Sequence, residues 1–288
     1  MKIIMLICTF LLPLLAQANP QPVSMQPTAM LKVMSYNIRC GYCEAEGTPQ
    51  YWPERKFLLA HVIQTQQPDL IGLQEAELFQ VADLIAMLPQ YQWFGEGRDD
   101  GKTKGESTAV LYRKDKLKLL SAKTWWLSAT PQQVSRGWDA HLNRTVTQTQ
   151  FQEMKSGQSF YFFNTHFDHQ GQQAQLQSAL LIKRVVEQLP PDSKVLLTGD
   201  LNVQPESPPY LVLSQTMQDS ALVAKAQQSK GIGTFNGFGR DPANPNPTID
   251  YIFVSKNLIV QSYQVDHRRY NDLYPSDHEA VVVVIPLP

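Results

Sequence analysis

Reactive polar residues close short apolar runs at six places in this chain, and this recurrence constrains its fold more than any other feature. Met34-Ser-Tyr-Asn ends at Asn37, the run from Leu70 ends at Glu75, and Phe162-Phe-Asn-Thr-His ends at His166. Leu196–Asn202 holds Asp200 and Asn202, Thr248–Val254 holds Asp250, and Ser276, Asp277 and His278 stand beside the run from Ala280. A carboxylate or imidazole at the end of a buried run is costly unless it meets a cation or a partner. Six of them in order therefore point to one polar site rimmed by the ends of a sheet.

Strands are expected over Leu31–Asn37, Leu70–Gln74, Thr108–Arg113, Ser159–Thr165, Lys194–Thr198, Ile249–Val254 and Ala280–Ile285. Periodicity predicts a helix over Trp52–Gln66, with Pro53 near its start and Phe57, Leu58, His61, Val62 and Thr65 on one face. It predicts a second over Leu78–Leu88, with Leu78, Val81, Leu84, Ile85 and Leu88 on one face, and a third over Gln172–Leu189. Strands that recur from end to end, with helices between only some of them, predict an α/β (α+β) class. The expected architecture is a four-layer α-β-β-α sandwich, two mixed sheets face to face with helices outside. No linker divides residues 31–288, so they read as one domain. The polar stretches Gly95–Ser107, Ser128–Arg144 and Lys225–Pro247 are too long for passive connections and are expected to shape a site. Trp125 and Trp126 open a loop, placed either to stack on a base or sugar or to join the core.

Residues 1–18 read as an export signal: Lys2, the apolar stretch Ile3–Leu15, and Ala16-Gln17-Ala18 before a cleavage point at Asn19. Cys8 follows Ile7 rather than a small residue, which argues against a lipoprotein cysteine. Residues 19–30 are expected to form a flexible leader. No other segment is apolar for long enough to span a bilayer, and the mature chain is expected in the periplasm or outside the cell. Cleavage removes one positive charge, Lys2, and no acid, moving the formal charge from −1 to −2. Affinity for a long polyanion therefore gains nothing from net charge. In an oxidising compartment Cys40 and Cys43 read as a disulfide stiffening the turn after Asn37. A thiol redox motif lacks its βαβ setting here, and a zinc site lacks further ligands.

Mg²⁺ takes oxygen ligands and needs only one or two carboxylates, which Glu75 and Asp277 can supply. Asp200 and Asn202, two apart, project to one side, although D-x-N after a strand also makes an Asx turn. His166 and His278 are the candidates for handling protons, a histidine beside a carboxylate being held in one orientation and favoured when charged. Arg98 and Arg144 are the candidates for substrate anions, because guanidinium forks match phosphate; Asp99 and Asp100 offer Arg98 a salt bridge instead. His61 and His141 have no motif context, and Arg268 and Arg269 form a basic spot of the kind common on solvated surfaces. The GxSxG, P-loop and HExxH patterns are absent.

Gly199-Asp200-Leu201-Asn202 and Ser276-Asp277-His278, behind Asn37, Glu75 and His166, resemble the endonuclease/exonuclease/phosphatase superfamily from about Leu31 onward. Gly97–Gly101 (GRDDG), Thr165–His169 (THFDH) and Gly233–Gly239 (GTFNGFG) are similar to its bacterial secreted hydrolases. The resemblance implies a deoxyribonuclease I-like sandwich and metal-dependent hydrolysis of a phosphoric ester by in-line attack of an activated water. It implies Glu75 as principal metal ligand with Asn37 and Asp277 close by, and Mg²⁺, Mn²⁺ or Ca²⁺ as the cofactor. It also implies Asp200 and Asn202 on the water and a phosphoryl oxygen, Asp250 paired with His278, His166 near non-bridging oxygens, and Arg144 facing phosphate. His169, with Asp168, extends the motif as a substrate contact or an orienting group. Phosphodiester cleavage, as a nuclease or phosphodiesterase, ranks ahead of phosphomonoester, phospholipid or sugar-phosphate hydrolysis. The apolar TWWLS is short for a membrane hairpin, and the loops hold few basic residues for an inositol phosphate. The expected partner is the phosphate-ester substrate, nucleic acid, nucleotide or small diester, with no evident protein partner. A non-catalytic binding module on the same scaffold and a thiol–disulfide protein are the competing classes.

Overall fold

The computed structural model describes residues 29–240 and 246–287. The expected export signal and all but the last two residues of the leader lie outside them. The first half contains β1 (Ala29–Asn37), α1 (Trp52–Gln66), β2 (Leu70–Gln74), α2 (Leu78–Met87), β3 (Tyr91–Phe94), β4 (Val110–Arg113), β5 (Leu117–Trp126) and β6 (Thr145–Glu153). The second contains β7 (Ser159–His166), α3 (Gln172–Glu187), β8 (Val195–Asp200), α4 (Pro208–Ser214), β9 (Met217–Asp219), α5 (Ser220–Val223), β10 (Ala226–Gln227), β11 (Asp250–Ser255), β12 (Ser262–Asp266) and β13 (Ala280–Leu287). One sheet runs β10-β12-β13-β1-β2-β4-β3 and the other β5-β6-β7-β8-β11-β9. Parallel pairs β1–β2 and β7–β8 sit among antiparallel ones, so both sheets are mixed.

Three apolar clusters make the expected four layers. Between the sheets lie Val33, Leu70, Val110, Phe151, Phe160, Phe162, Leu196, Ile252, Val254 and Val283. Outside the first sheet, Met34, Tyr36, Ile71 and Leu73 meet Leu59, Ile63, Val81 and Leu84 from the helices. Outside the second, Phe163, Leu197 and Phe253 meet Ala179, Ile182, Tyr210 and Leu213.

Strand alternation carries this core into a polar end. Side chains two apart share a face, and three strands read apolar, then neutral polar, then reactive along the inner face: Val33, Ser35, Asn37; Phe162, Asn164, His166; and Leu196, Thr198, Asp200. A fourth, reversed, stays apolar up to its reactive end: Val254, Ile252, Asp250. Register aligns them, because Asp200 lies opposite both His166 and Asp250. The neutral layer is hydrogen-bonded across the two sheets, with only Gln74 Oε1 left without a partner among its described atoms. Gln74 Nε2 donates to Asn164 Oδ1 at 2.6 Å, Thr198 Oγ1 donates to the same oxygen at 3.0 Å, and Asn164 Nδ2 donates to Leu73 O at 2.7 Å. Gly72 makes room for it, since a Cβ there would lie 2.1 Å from Thr198 Oγ1.

Two expectations change. Helix α1 buries Trp52, Arg55, Leu59, Ala60, Val62, Ile63 and Gln66, not the face holding Phe57, which is exposed. The helix has apolar residues on both sides, and the side bearing Arg55 wins because its guanidinium has carbonyls to meet beneath the site. Trp125 and Trp126 end strand β5 rather than opening a loop, and both are buried.

Candidate active site

Asp200 is the centre of the polar end. Its Oδ1 accepts from Asn202 N at 2.9 Å and its Oδ2 from Asn37 Nδ2 at 2.9 Å. The same Oδ2 lies 3.5 Å from His166 Nε2 and 3.7 Å from His278 Nε2. Burial, then the neighbouring Asp250, pushes this carboxyl up to about 7.

The two histidines are held differently. His278 Nδ1 meets Asp250 Oδ2 at 2.8 Å. Burial opposes its charge, but Asp250, Asp200 and Asp277 outweigh burial and hold the imidazole well above its ordinary 6.5. His166 Nδ1 meets Arg144 Nη1 at 2.8 Å. Burial, reinforced by the charge of Arg144, holds His166 well below 6.5. Arginine only donates, so Nδ1 of His166 accepts and the neutral ring carries its proton on Nε2, facing Asp200. Asn202 Nδ2 stands beside it at 3.1 Å and donates to Phe167 O.

The acids cluster on the other side. Glu75 accepts from Asn37 Nδ2 at 3.1 Å and from Cys40 N at 3.1 Å. Burial raises its carboxyl, yet Arg39, His278 and those hydrogen bonds together hold it below the usual range. Arg39 stands 3.7 Å from Glu75 and 3.6 Å from Asp277, and also pairs with Glu44. Burial pushes Asp277 up. Arg39, Glu75 and Asn202 all have positive φ, at 56°, 57° and 51°. This costs about 1–3 kcal/mol each for residues with a Cβ and turns each side chain inward where a strand ends.

Donor atoms of Glu75, Asp200 and His278 lie within 4.8 Å of one another. A charged His278 bound to Asp250 is no ligand, which leaves carboxylate oxygens, with Asp277 across Arg39. That set suits a hard cation such as Mg²⁺. Asn37 lies beside these carboxylates: its amide nitrogen holds Glu75 and Asp200, and its Oδ1 accepts from Arg39 N at 3.0 Å.

These groups open onto a cleft of about 720 Å³ lined by Arg39, Glu75, Glu106, Arg144, His166, His169, Asp200, Asn202, Phe235, Phe238, Arg240, Asp277 and His278, among others. A model of the Endonuclease/Exonuclease/phosphatase family matches residues 34–278. The chain belongs to the endonuclease/exonuclease/phosphatase family. An endonuclease/exonuclease/phosphatase of Bacteroides vulgatus has 34% sequence identity and a TM-score of 0.86, covering 91% of this chain and 100% of its own. A mannosyl-6-phosphatase of Bacteroides thetaiotaomicron has 34% identity and a TM-score of 0.79, covering 88% of this chain and 98% of its own. Nocturnin of Drosophila melanogaster is 28% identical over 274 residues, 80% of this chain but 41% of that protein. The sandwich and the hydrolytic class are those of the family.

Within this family member, the other expected residues separate. Arg144 lines the cleft and donates to His169 Nδ1 at 3.1 Å, while His141 packs edge-on against His169. Arg98 does not line the main cleft. It pairs with Glu106 and lines a small adjoining pocket with Glu75, Arg144 and His166. Asp168 accepts four backbone N–H groups, from His141, Leu142, Gln170 and Gly171, and ties the two loops that flank His169. Burial opposes its ionisation, but these donors hold it well below the carboxylate range. Arg268 and Arg269 are taken by Asp266 and Glu279. Cys40 and Cys43 are disulfide-bonded, with Cα atoms 5.4 Å apart.

The residues missed in sequence are Arg39, Arg55, Glu106, Phe238 and Arg240. Arg55 is fully buried and donates to Gln50 O, Ile38 O, Arg39 O and Pro275 O, joining the turn after β1 to the segment before Ser276. Its place on α1, against the expected apolar face, hid it. Glu106 had a signal, being the last acid of the Gly95–Ser107 stretch. Burial, then Glu75, pushes it up to about 7.

Proposed function

We propose that the protein is a metal-dependent hydrolase of small phosphate esters in which Asp200 activates the attacking water. The observation that carries this is the position of Asp200 Oδ2 between two imidazole N–H groups of unlike charge, 3.5 and 3.7 Å away. A carboxyl pushed up to about 7 is poised to take a proton near neutral pH. His278, charged by Asp250, and His166, neutral with a proton on Nε2, point donors at one place. Charge developing on phosphoryl oxygens there meets fixed donors that need no reorganisation. Glu75, Asp200 and Asp277 would hold the metal. When bound, it polarises a phosphoryl oxygen and neutralises developing charge.

Sequence alone ranks diester cleavage first. The cleft supports monoesters instead: Arg39, Arg144 and Arg240 face Glu75, Glu106, Asp200 and Asp277 among its lining residues, so it offers no positive track for a polyanion. The mannosyl-6-phosphatase at 34% identity supports the same order. The Cys40–Cys43 bond, buried at Cys40 and exposed at Cys43, supports the reading of an exported protein. The test is hydrolysis by protein starting at Asn19, with Mg²⁺, Mn²⁺ or Ca²⁺ and with EDTA. Substrates are p-nitrophenyl phosphate, bis-p-nitrophenyl phosphate, mannose 6-phosphate, plasmid DNA and RNA. The expected outcome is metal-dependent monoester cleavage that Asp200→Ala and His278→Ala abolish. Metal-independent turnover, or a preference for DNA or RNA, overturns it.

A further inference from the structure

Glu106 is an acid where a phosphate site has no evident use for one. It lines the cleft beside Arg144, His166 and His169, yet a carboxylate repels the phosphoryl group those residues face. The chain goes to some length to put it there. Residues 97–106 fold back on themselves through Gly97 N to Lys102 O, Asp99 N to Lys104 O and Arg98 N to Glu106 O. Asp100 Oδ1 accepts from the backbone N–H of Lys102, Thr103 and Lys104 at 2.8, 2.8 and 2.9 Å. A Cβ on Gly97 would stand 2.3 Å from Lys104 O, so the close approach of the two arms requires glycine. Trp126 Nε1 fixes the base of this loop by donating to Arg98 O at 2.7 Å.

Glu106 Oε2 is taken by Arg98 Nη1. Among the described residues no donor reaches Oε1, and the side chain keeps 17% of its exposure. A free carboxylate oxygen at a cleft wall can serve a metal, a cation or a neutral donor. Neither grouping of possible metal donors among the described residues, Glu75 with Asp200 and His278 or Glu75 with Cys40 and Cys43, includes Glu106. A cation would need uncompensated negative charge, and Arg98 already cancels it. A neutral O–H needs only the lone pair, strengthened by the ionic character of its acceptor.

We infer that Glu106, held by Arg98, is a specificity-determining residue that accepts a hydrogen bond from a hydroxyl on the alcohol part of the substrate, so that the enzyme takes phosphate esters of sugars or polyols. The inference rests on the phosphoester hydrolase reading above. Arg144 and His166 hold the phosphoryl end, and the Glu106 wall reads what the phosphate is attached to.

Two esters isolate the effect: n-hexyl phosphate and sorbitol 6-phosphate carry the same six-carbon chain without and with hydroxyls. The full chain from Asn19, with saturating Mg²⁺, is assayed on both, and the ratio of their kcat/KM values is the readout. The wild-type ratio is expected to favour sorbitol 6-phosphate by about 10- to 100-fold, the span of a hydrogen bond to a charged group. Glu106→Ala is expected to bring the ratio close to one. Glu106→Gln keeps the shape and one acceptor without the charge, and is expected to lower the ratio about fivefold; it also serves if Glu106→Ala, which strands Arg98, does not fold. A wild-type ratio near one overturns the inference. So does a ratio that neither variant changes, or a loss shared equally by the two esters, which would assign Glu106 to the reaction itself. If the wild-type protein hydrolyses neither ester nor p-nitrophenyl phosphate, it is the hydrolase reading that fails.

Discussion

His166 and His278 are both buried, both at the polar end of the sandwich, and both within 4 Å of the same oxygen of Asp200. One is held neutral and the other charged. Burial opposes charge on each, so burial does not separate them. The partner at Nδ1 does: Arg144 for His166, Asp250 for His278. A single row of strand ends thereby presents a neutral donor and a cationic donor to one place. It teaches that the identity of a site histidine lies in the residue behind it. The sign of each contribution to stability follows. The raised His278 stabilises the fold fully below its ordinary 6.5 and ceases to as pH rises through its folded value. The depressed His166 does so above 6.5, and that contribution is lost as pH falls through its folded value.

The comparison breaks most visibly at Asp250. Asp250→Asn keeps a hydrogen-bonding group beside His278 but removes the charge that ionises it. Turnover is expected to fall by about 10²–10⁴-fold, the range of a lost proton-handling group. Asp250→Asn combined with His278→Ala is expected to be no worse than His278→Ala alone, since the two act as one unit. Measured kcat values whose losses multiply would show that Asp250 acts on Asp200 independently of the imidazole.

Arg144→Met is expected to have the next largest effect, about 10²-fold on turnover, as one fixed donor is lost. Its sharper readout is NMR titration of the imidazoles. Removing the guanidinium takes away the largest neighbouring charge that reinforces burial in depressing His166, so its titration moves toward 6.5 while that of His278 stays high. Acid loss of stability from His166 then still begins near 6.5, but it ends at a higher pH and amounts to less in total. If His166 titrates identically in the variant, the guanidinium is not what keeps it neutral.

How much of this contrast was legible in the sequence depends on its range. The six strand ends and the acids and histidines on them were, because a two-residue period and an apolar run are local. Strands β1, β2 and β7 and helices α1 and α2 appear within two residues of their expected bounds. Strands β5 and β12 were not expected, since Leu117–Trp126 and Ser262–Asp266 interrupt their apolar residues with Lys, Thr, Gln and Ser; they are strands because neighbours pair with them. Arg39 and Arg55 were missed for a related reason. Arg39 reaches Glu75 and Asp277, far off in sequence, and Arg55 meets backbone carbonyls, so nothing local marks their place in the site. Arg98 was legible as an arginine in a polar loop, but only packing could reveal that Glu106, eight residues on, takes it.

The smallest expected effect concerns the turn beside Glu75, which is clamped twice. The disulfide closes Cys40 on Cys43, and Arg55 holds Ile38 O at 2.6 Å and Arg39 O at 2.8 Å from beneath. Closing so short a loop limits the entropic gain to about 2 kcal/mol. The double variant Cys40→Ser/Cys43→Ser is therefore expected to lower the melting temperature modestly and turnover by only about threefold, in line with surface changes that leave the core intact. The Cys40 N–H bond to Glu75 survives because Arg55 still fixes the residues before it. Arg55→Met should cost more, because Gln50 O, Ile38 O and Pro275 O lose their donor and Arg39 O keeps only Gln80 Nε2. If the order is reversed, and the serine variant loses turnover by more than about tenfold while Arg55→Met does not, the disulfide rather than Arg55 sets the position of Arg39 and Glu75. The acid side of the site would then respond to redox conditions in a way that the histidine side, with no thiol near it, would not.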